Sequence, residues 1–127
     1  MTDITHIEQP IIWANYTPHT VTLYCDPEDA KRPMFSCGSV GVARVEESQE
    51  TIALFNDYIP LRRTTFGEIV GLPEPRRNTV FIVSMVVAQA NARATQPRGD
   101  LVCPDTGKSC LRDDRGQIIG VTGFVKY

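Results

Sequence analysis

The chain has 127 residues, of which 42% are hydrophobic and 22% charged, with a formal net charge of −2. That length and balance describe one globular domain, residues 1–127, able to bury a core without staples. The charge argues against sequence-independent binding to DNA or RNA, which runs on phosphate neutralisation by a basic surface. No apolar run approaches the roughly 20 residues of a membrane span.

The first ten residues, "MTDITHIEQP", carry no basic head followed by an apolar stretch, so they do not read as a signal peptide, and a cytosolic protein is expected. "IIWANYTPHTVTLYC" then reads as two short strands broken at Thr17-Pro18, with Val21, Leu23 and Cys25 alternating against Thr20, Thr22 and Tyr24. Residues 26–33 form a polar loop. "CGSVGVARVEE" alternates again, with Val40, Val42 and Arg44 on one face and Ala43 and Val45 on the other. Two further strand segments fall in 51–75, before the prolines at 73 and 75, and "NTVFIVS" is a short apolar strand.

Ser84 can cap the segment that follows, because its hydroxyl can accept a bond from an orphan N–H of a first helical turn. From Met85 to about Gln96 the alanines, glutamines and unbranched side chains favour helix, which Pro97 and Gly99 end. "DLVCPD" reads as a strand, and "LRDDRGQIIGVTGFV" as a C-terminal hairpin turning at Asp114-Arg115-Gly116. The expected class is α+β: a mainly antiparallel sheet core, one main helix over about 85–96, and the C-terminal β-hairpin.

On a helical wheel Gln89, Arg93 and Gln96 share one side, a sensible solvent face, while Val87, Ala90, Asn91 and Ala94 share the other. Asn91 is thus a polar group on an apolar face. A buried amide without partners costs about 1–3 kcal/mol, so it has partners, either a neighbouring carbonyl or a ligand. Phe81 is either core or a platform on which a base can stack. Arg62-Arg63 beside Thr64-Thr65 is either a phosphate cradle or a solvated edge strand, and Arg112 and Arg115 flank a hairpin turn where solvated charge is the ordinary reading. Ten of the 13 cations are arginine. Their planar fork suits phosphate and flat rings, although base composition of the genome can produce the same skew.

Cys25, Cys37, Cys103 and Cys110 have no CxxC spacing, and free or buried thiols are expected. With His6 and His19 the two histidines, no metal site and no cofactor is expected. No nucleophile has a plausible base beyond His19, so catalysis is not expected.

Five stretches in order, "ANYTPHTVTLY" (14–24), "GVARV" (41–45), "RTTFGEIVGLPEP" (63–75), "TVFIVSMVVAQA" (79–90) and "LRDDRGQIIGVTGF" (111–124), resemble a family of small phage and prophage proteins. Its pattern reads roughly NLTPH, FGEVxGLPxP, YIVSxxVAQA and VRDExGxIxG. The family is identified as the first class of anti-Thoeris proteins. The likeness spans most of the chain outside 26–37 and 97–110, and Asn15-Tyr16 departs from the usual Asn-Leu. The resemblance implies a non-enzymatic sponge in the cytoplasm of the infected bacterial host. Such a sponge binds cyclic ADP-ribose isomers without cleaving them, and some members also hold cyclic trinucleotides at separate sites. It implies a homo-oligomer, a hexamer built from dimers, with ligands at subunit interfaces. It also implies ligand contacts at Phe81 and Asn91, which have the family's ten-residue spacing, and at Arg44, Arg63 and Arg112 for pyrophosphate or ribose. The rival readings are an enzyme that degrades the same signals and a phage structural or assembly protein with no small-molecule site.

Overall fold

The structure, a computed structural model, describes residues 3–26, 28 and 32–127. In chain order the elements are β1 (Ile12–Asn15), β2 (Val21–Tyr24), β3 (Pro33–Cys37), β4 (Arg44–Phe55), β5 (Ile59–Val70), β6 (Thr79–Ile82), α1 (Met85–Ala92), β7 (Leu101–Pro104), β8 (Leu111–Arg112), β9 (Ile118–Gly120) and β10 (Phe124–Val125). Among the described residues strands take 45% and helix 7%, so the α+β class holds with a sheet core.

β6 lies inside a four-stranded sheet ordered β1-β6-β7-β10. β1 and β7 both run parallel to it, and β10 pairs antiparallel with β7. Its sequence, Thr-Val-Phe-Ile, is β-branched or aromatic throughout, which suits a strand with neighbours on both sides and cover on both faces. Phe81 and Ile82 are both 0% exposed. Alternation sends them to opposite faces, so the sheet has a core on each side. On one side Phe81, Leu101 and Cys103 pack with Val87 and Ala88 of α1, and the hairpin base joins through Val45 and Ile69. On the other, Ile82 packs with Val21 and Val121, flanked by Trp13 and Phe124, whose rings stack at 5.0 Å. The remaining pairs, β2–β3, β4–β5 and β8–β9, are antiparallel two-stranded ribbons.

Several expectations need correction. The helix stops at Ala92 and does not reach Gln96. Its last turn tightens, with the Arg93 N–H donating to the Gln89 and Ala90 carbonyls and the Ala94 N–H to the Asn91 carbonyl. β3 occupies Pro33–Cys37, a stretch whose sequence reads as loop up to Pro33, and part of that loop, residues 27 and 29–31, lies outside the described residues. Its mate β2 supplies the alternating pattern that Pro-Met-Phe-Ser-Cys lacks. Residues 38–43 are irregular despite their alternation, because they cross the sheet end: Val40 N–H donates to Asn15 O, and Ala43 N–H to Tyr16 O. The Ser84 cap forms as read, its hydroxyl accepting from Val87 N–H at 3.4 Å.

β4 and β5 make a hairpin of two 12-residue strands. Its turn bonds Tyr58 N–H to Phe55 O, and Asn56 and Asp57 take φ of 50° and 64°. Positive φ at both central turn residues matches the right-handed strand twist, and Asn and Asp tolerate it best after glycine.

Candidate functional site

Where the hairpin base meets α1, an open cleft of about 510 Å³ runs between β5 and the helix. β5 contributes Phe66 and Glu68; α1 and the turn after it contribute Val86, Gln89, Arg93 and Thr95. Gln89 and Arg93 are one helical turn apart, so both present to the same wall. Phe66 is 48% exposed and Val86 is 51% exposed. Among the described residues, the side chains of Gln89, Arg93 and Thr95 have no hydrogen-bonding or ionic partner. The cleft therefore offers a flat ring, a guanidinium fork, an amide and a hydroxyl, with the Glu68 carboxylate beside them.

A second cleft, of about 420 Å³, lies at the carboxyl ends of β1 and β6. Thr17, His19, Ser84 and Met85 line one part and Ile118 and Ile119 another, so its lining is mostly apolar with hydroxyls.

The five residues that the family resemblance puts at the ligand do not share either cleft. Phe81 is a core residue: its ring has no exposed surface, lies 5.6 Å from the Tyr16 ring, and carries the Arg98 guanidinium 5.2 Å above its centroid. A base could stack on it only by displacing both. Asn91 is 8% exposed, and both polar atoms of its amide are bonded to the Arg98 main chain. Its Nδ2 donates to Arg98 O at 2.8 Å, and its Oδ1 accepts from Arg98 N–H at 2.9 Å. Of the two partners open to it on the sequence, the neighbouring backbone is the one it meets within this chain. Arg44 is exposed at the start of β4. Arg63 is exposed on β5, 3.9 Å from Glu50 across the ribbon. Arg112 donates from Nη1 to Gly116 O at 2.7 Å, bracing its own hairpin turn.

Arg98, which sequence reasoning did not single out, ties three segments together. Its fork meets Asp100 at 3.0 Å (Nε–Oδ1) and 2.8 Å (Nη2–Oδ2), and Nη1 donates to Pro73 O at 2.7 Å. Bidentate pairs of this kind are among the stronger polar contacts, and planar guanidinium on an aromatic face adds to them. Asn15 was equally hard to pick out. It is 0% exposed, donating to the His19 and Cys37 carbonyls and accepting from the Thr17 N–H and hydroxyl. A fully satisfied amide of this kind fixes the β1–β2 turn rather than reading a ligand.

Cys103 is a buried residue of β7, and its thiol is held above the ordinary value by burial first and by the Asp105 charge second, with a Tyr127 hydrogen bond opposing both. It is a protonated core thiol. No group of three or more His, Cys, Asp or Glu side chains is placed to hold a metal among the described residues. No described helix is long and apolar enough to cross a membrane.

No family model matches the chain, and no curated protein or solved structure is similar to it at a significant level.

Proposed function

We propose that this protein binds and holds a cyclic ADP-ribose-type signalling nucleotide without cleaving it, as a phage-encoded sponge against TIR-based bacterial immunity. The sequence likeness to the anti-Thoeris family supports the ligand class. The observation that carries the reading is the unpartnered Arg93 guanidinium beside the half-exposed Phe66 ring in a cleft of about 510 Å³. Small-molecule sites commonly fall between about 300 and 1,000 Å³. Phe66 can stack on adenine, worth roughly 1–3 kcal/mol per base. Arg93 can take pyrophosphate oxygens through charge-assisted bonds. Gln89 and Glu68 can meet ribose hydroxyls, for which a carboxylate is a good acceptor although it would repel phosphate. The ligand wall thus moves from the buried face of α1, which carries Asn91 and packs on Phe81 of β6, to the opposite face of the helix.

A sponge must hold its signal below the receptor's threshold, which asks for a dissociation constant near nanomolar, roughly −12 kcal/mol. A cleft this open covers part of such a ligand, so the homo-oligomer implied by the family likeness, a hexamer built from dimers, belongs to the same reading. Cyclic trinucleotides are the second ligand class to test.

Calorimetric titration of cyclic ADP-ribose isomers and cyclic trinucleotides into the purified protein tests the proposal, followed by heat denaturation and chromatography of the ligand. Tight binding with intact ligand recovered supports a sponge; altered ligand makes the protein an enzyme acting on these signals. No heat with any of them sinks the reading and favours a structural or assembly role. Phe66→Ala and Arg93→Ala should each weaken binding at least tenfold, whereas Arg115→Ala, on the hairpin turn, should not.

A further inference from the structure

The second cleft, about 420 Å³, opens where three strands of the main sheet end. β1, β6 and β7 run parallel, and the segments at their carboxyl ends converge on it: residues 17–20 after β1, Ser84 and Met85 after β6, and Pro104 and Thr106 at the close of β7. In open parallel sheets the crevice outside the carboxyl ends of the strands is the usual place for a ligand. β9 makes the far wall. The Tyr24 N–H donates to Val121 O at 2.8 Å and the Val121 N–H to Thr22 O at 3.0 Å, which fastens the end of β9 to β2. The wall is therefore in place before any ligand arrives, and that lowers the ordering cost of binding.

The lining has a definite chemistry. Val21 and Val121 are buried and form the floor, while Met85, Ile118 and Ile119, 46%, 43% and 40% exposed, stand around it. Single apolar side chains on a surface are ordinary. Three of them around one concavity, over an apolar floor, match the lining of small-molecule sites, whose volumes commonly run from about 300 to 1,000 Å³. The polar groups are on the rim. The exposed side chains of His19, Thr20 and Thr106 have no hydrogen-bonding partner among the described residues. Of the described residues that line this cleft none is Asp, Glu, Lys or Arg, whereas the first cleft holds Glu68 and Arg93. A phosphate or carboxylate entering here would give up its water with no counter-charge to meet it.

We infer that the cleft at the ends of β1, β6 and β7 binds an uncharged small molecule with an apolar body and a hydrogen-bonding edge. The body lies on the valine floor against Met85 and the two isoleucines, and the edge meets His19, Thr20 and Thr106. The uncharged lining selects against the nucleotides proposed for the first cleft, so this is a second site for a second class of ligand. The two readings rest on different residues, and either can fail alone.

The test is fluorescence titration of the full chain with Nile red, an uncharged planar dye with a carbonyl edge. Anilinonaphthalene sulfonate, an aromatic dye with a fixed negative charge, is the contrast. Nile red should bind saturably, and the sulfonate dye at least tenfold more weakly, since its charge finds no partner. Ile118→Arg and Thr20→Arg each bring a guanidinium to the cleft from an exposed position. Each should weaken Nile red binding at least tenfold while the urea midpoint and the nucleotide titration stay at wild-type values; Thr20→Arg, outside the strands, keeps the test open should Ile118→Arg disturb β9. No saturable Nile red binding, a sulfonate dye that binds as tightly, or Nile red binding that survives both substitutions would overturn the inference. So would dye that is lost with Phe66→Ala and kept with Ile118→Arg, which would put it in the first cleft. Dye displaced as the chain concentration rises would overturn it too, because a second copy would then fill the cleft.

Discussion

Asn91 separates a structural pin from a ligand contact, and Asn91→Ala tests which it is. The substitution removes two bonds to the Arg98 main chain, at 2.8 and 2.9 Å, from a residue 8% exposed. The Arg98 N–H and carbonyl then lose their partners beneath the helix end. Each orphaned buried group costs about 1–3 kcal/mol, less where water can enter. With the loop 94–98 near the surface, a total of about 2 kcal/mol is expected. For a urea slope of about 1–3 kcal/mol/M, the midpoint should fall by roughly 1 M with the slope unchanged. Asn91→Asp should cost at least as much, because it keeps the acceptor for Arg98 N–H but sets a second acceptor against the Arg98 carbonyl. Urea unfolding followed by Trp13 fluorescence reads both. An unchanged midpoint in Asn91→Ala together with abolished nucleotide binding would refute the reasoning and return Asn91 to the ligand.

Four further outcomes follow from the same packing. Arg98→Lys keeps the charge but not the fork; losing the bidentate Asp100 contact, the Pro73 bond and the stack over Phe81 should cost about 2 kcal/mol in the same urea assay. Gly71→Ala should cost more than about 1–2 kcal/mol, since Gly71 has φ +85° and a Cβ there would lie 2.5 Å from the Val42 carbonyl oxygen; a neutral change in thermal midpoint would contradict this. Near neutral pH a thiol reagent should modify exposed Cys25 and leave buried Cys103 untouched until the chain unfolds. Because the folded Cys103 thiol is raised, its share of stability is fully present below the ordinary thiol value and is lost as pH rises above it. Alkaline titration of the Cys103→Ala variant should accordingly show a flatter loss of stability than wild type.

What the sequence made legible was local. The alternation in 20–25, the apolar run at 79–82, the Ser84 cap and the turn at Asp114-Arg115-Gly116 each carry their own signal, and all four elements stand where those signals fall. Pairing partners were not legible. That β6 lies between β1 and β7, parallel to both, depends on which strands meet, and no residue type announces that. The helix end was misread because Ala94 and Gln96 favour helix, while the side chain that turns the chain back, Asn91, acts seven residues away on Arg98. The candidate site suffered from the same blindness. Asn91 was correctly placed on the apolar face, but a polar group there is equally a pin or a reader until its partners are seen. Gln89 and Arg93 read as solvated because nothing local shows that β5 crosses in front of them.

The pin and the cleft are nevertheless joined through the backbone. Asn91 holds Arg98, so the chain between them must turn back across the end of α1, and Arg93 and Thr95 sit in that turn facing the cleft. Arg93 itself is the C-cap, its N–H already bonded to the last helical carbonyls. Holding a guanidinium in place before a ligand arrives lowers the ordering cost of binding it. Asn91 is thus expected to influence affinity as a positioning residue: Asn91→Ala should weaken binding a few-fold, and Arg93→Ala by about 10- to 100-fold, the loss of a bond to a charged group worth roughly 1.5–3 kcal/mol. The double variant distinguishes the routes. If Asn91 works through Arg93, losing both should weaken binding no more than losing Arg93 alone, because there is no longer a fork to position. Losses that simply add would mean that the Asn91 amide touches the ligand itself, and that the segment 94–98 opens to let it.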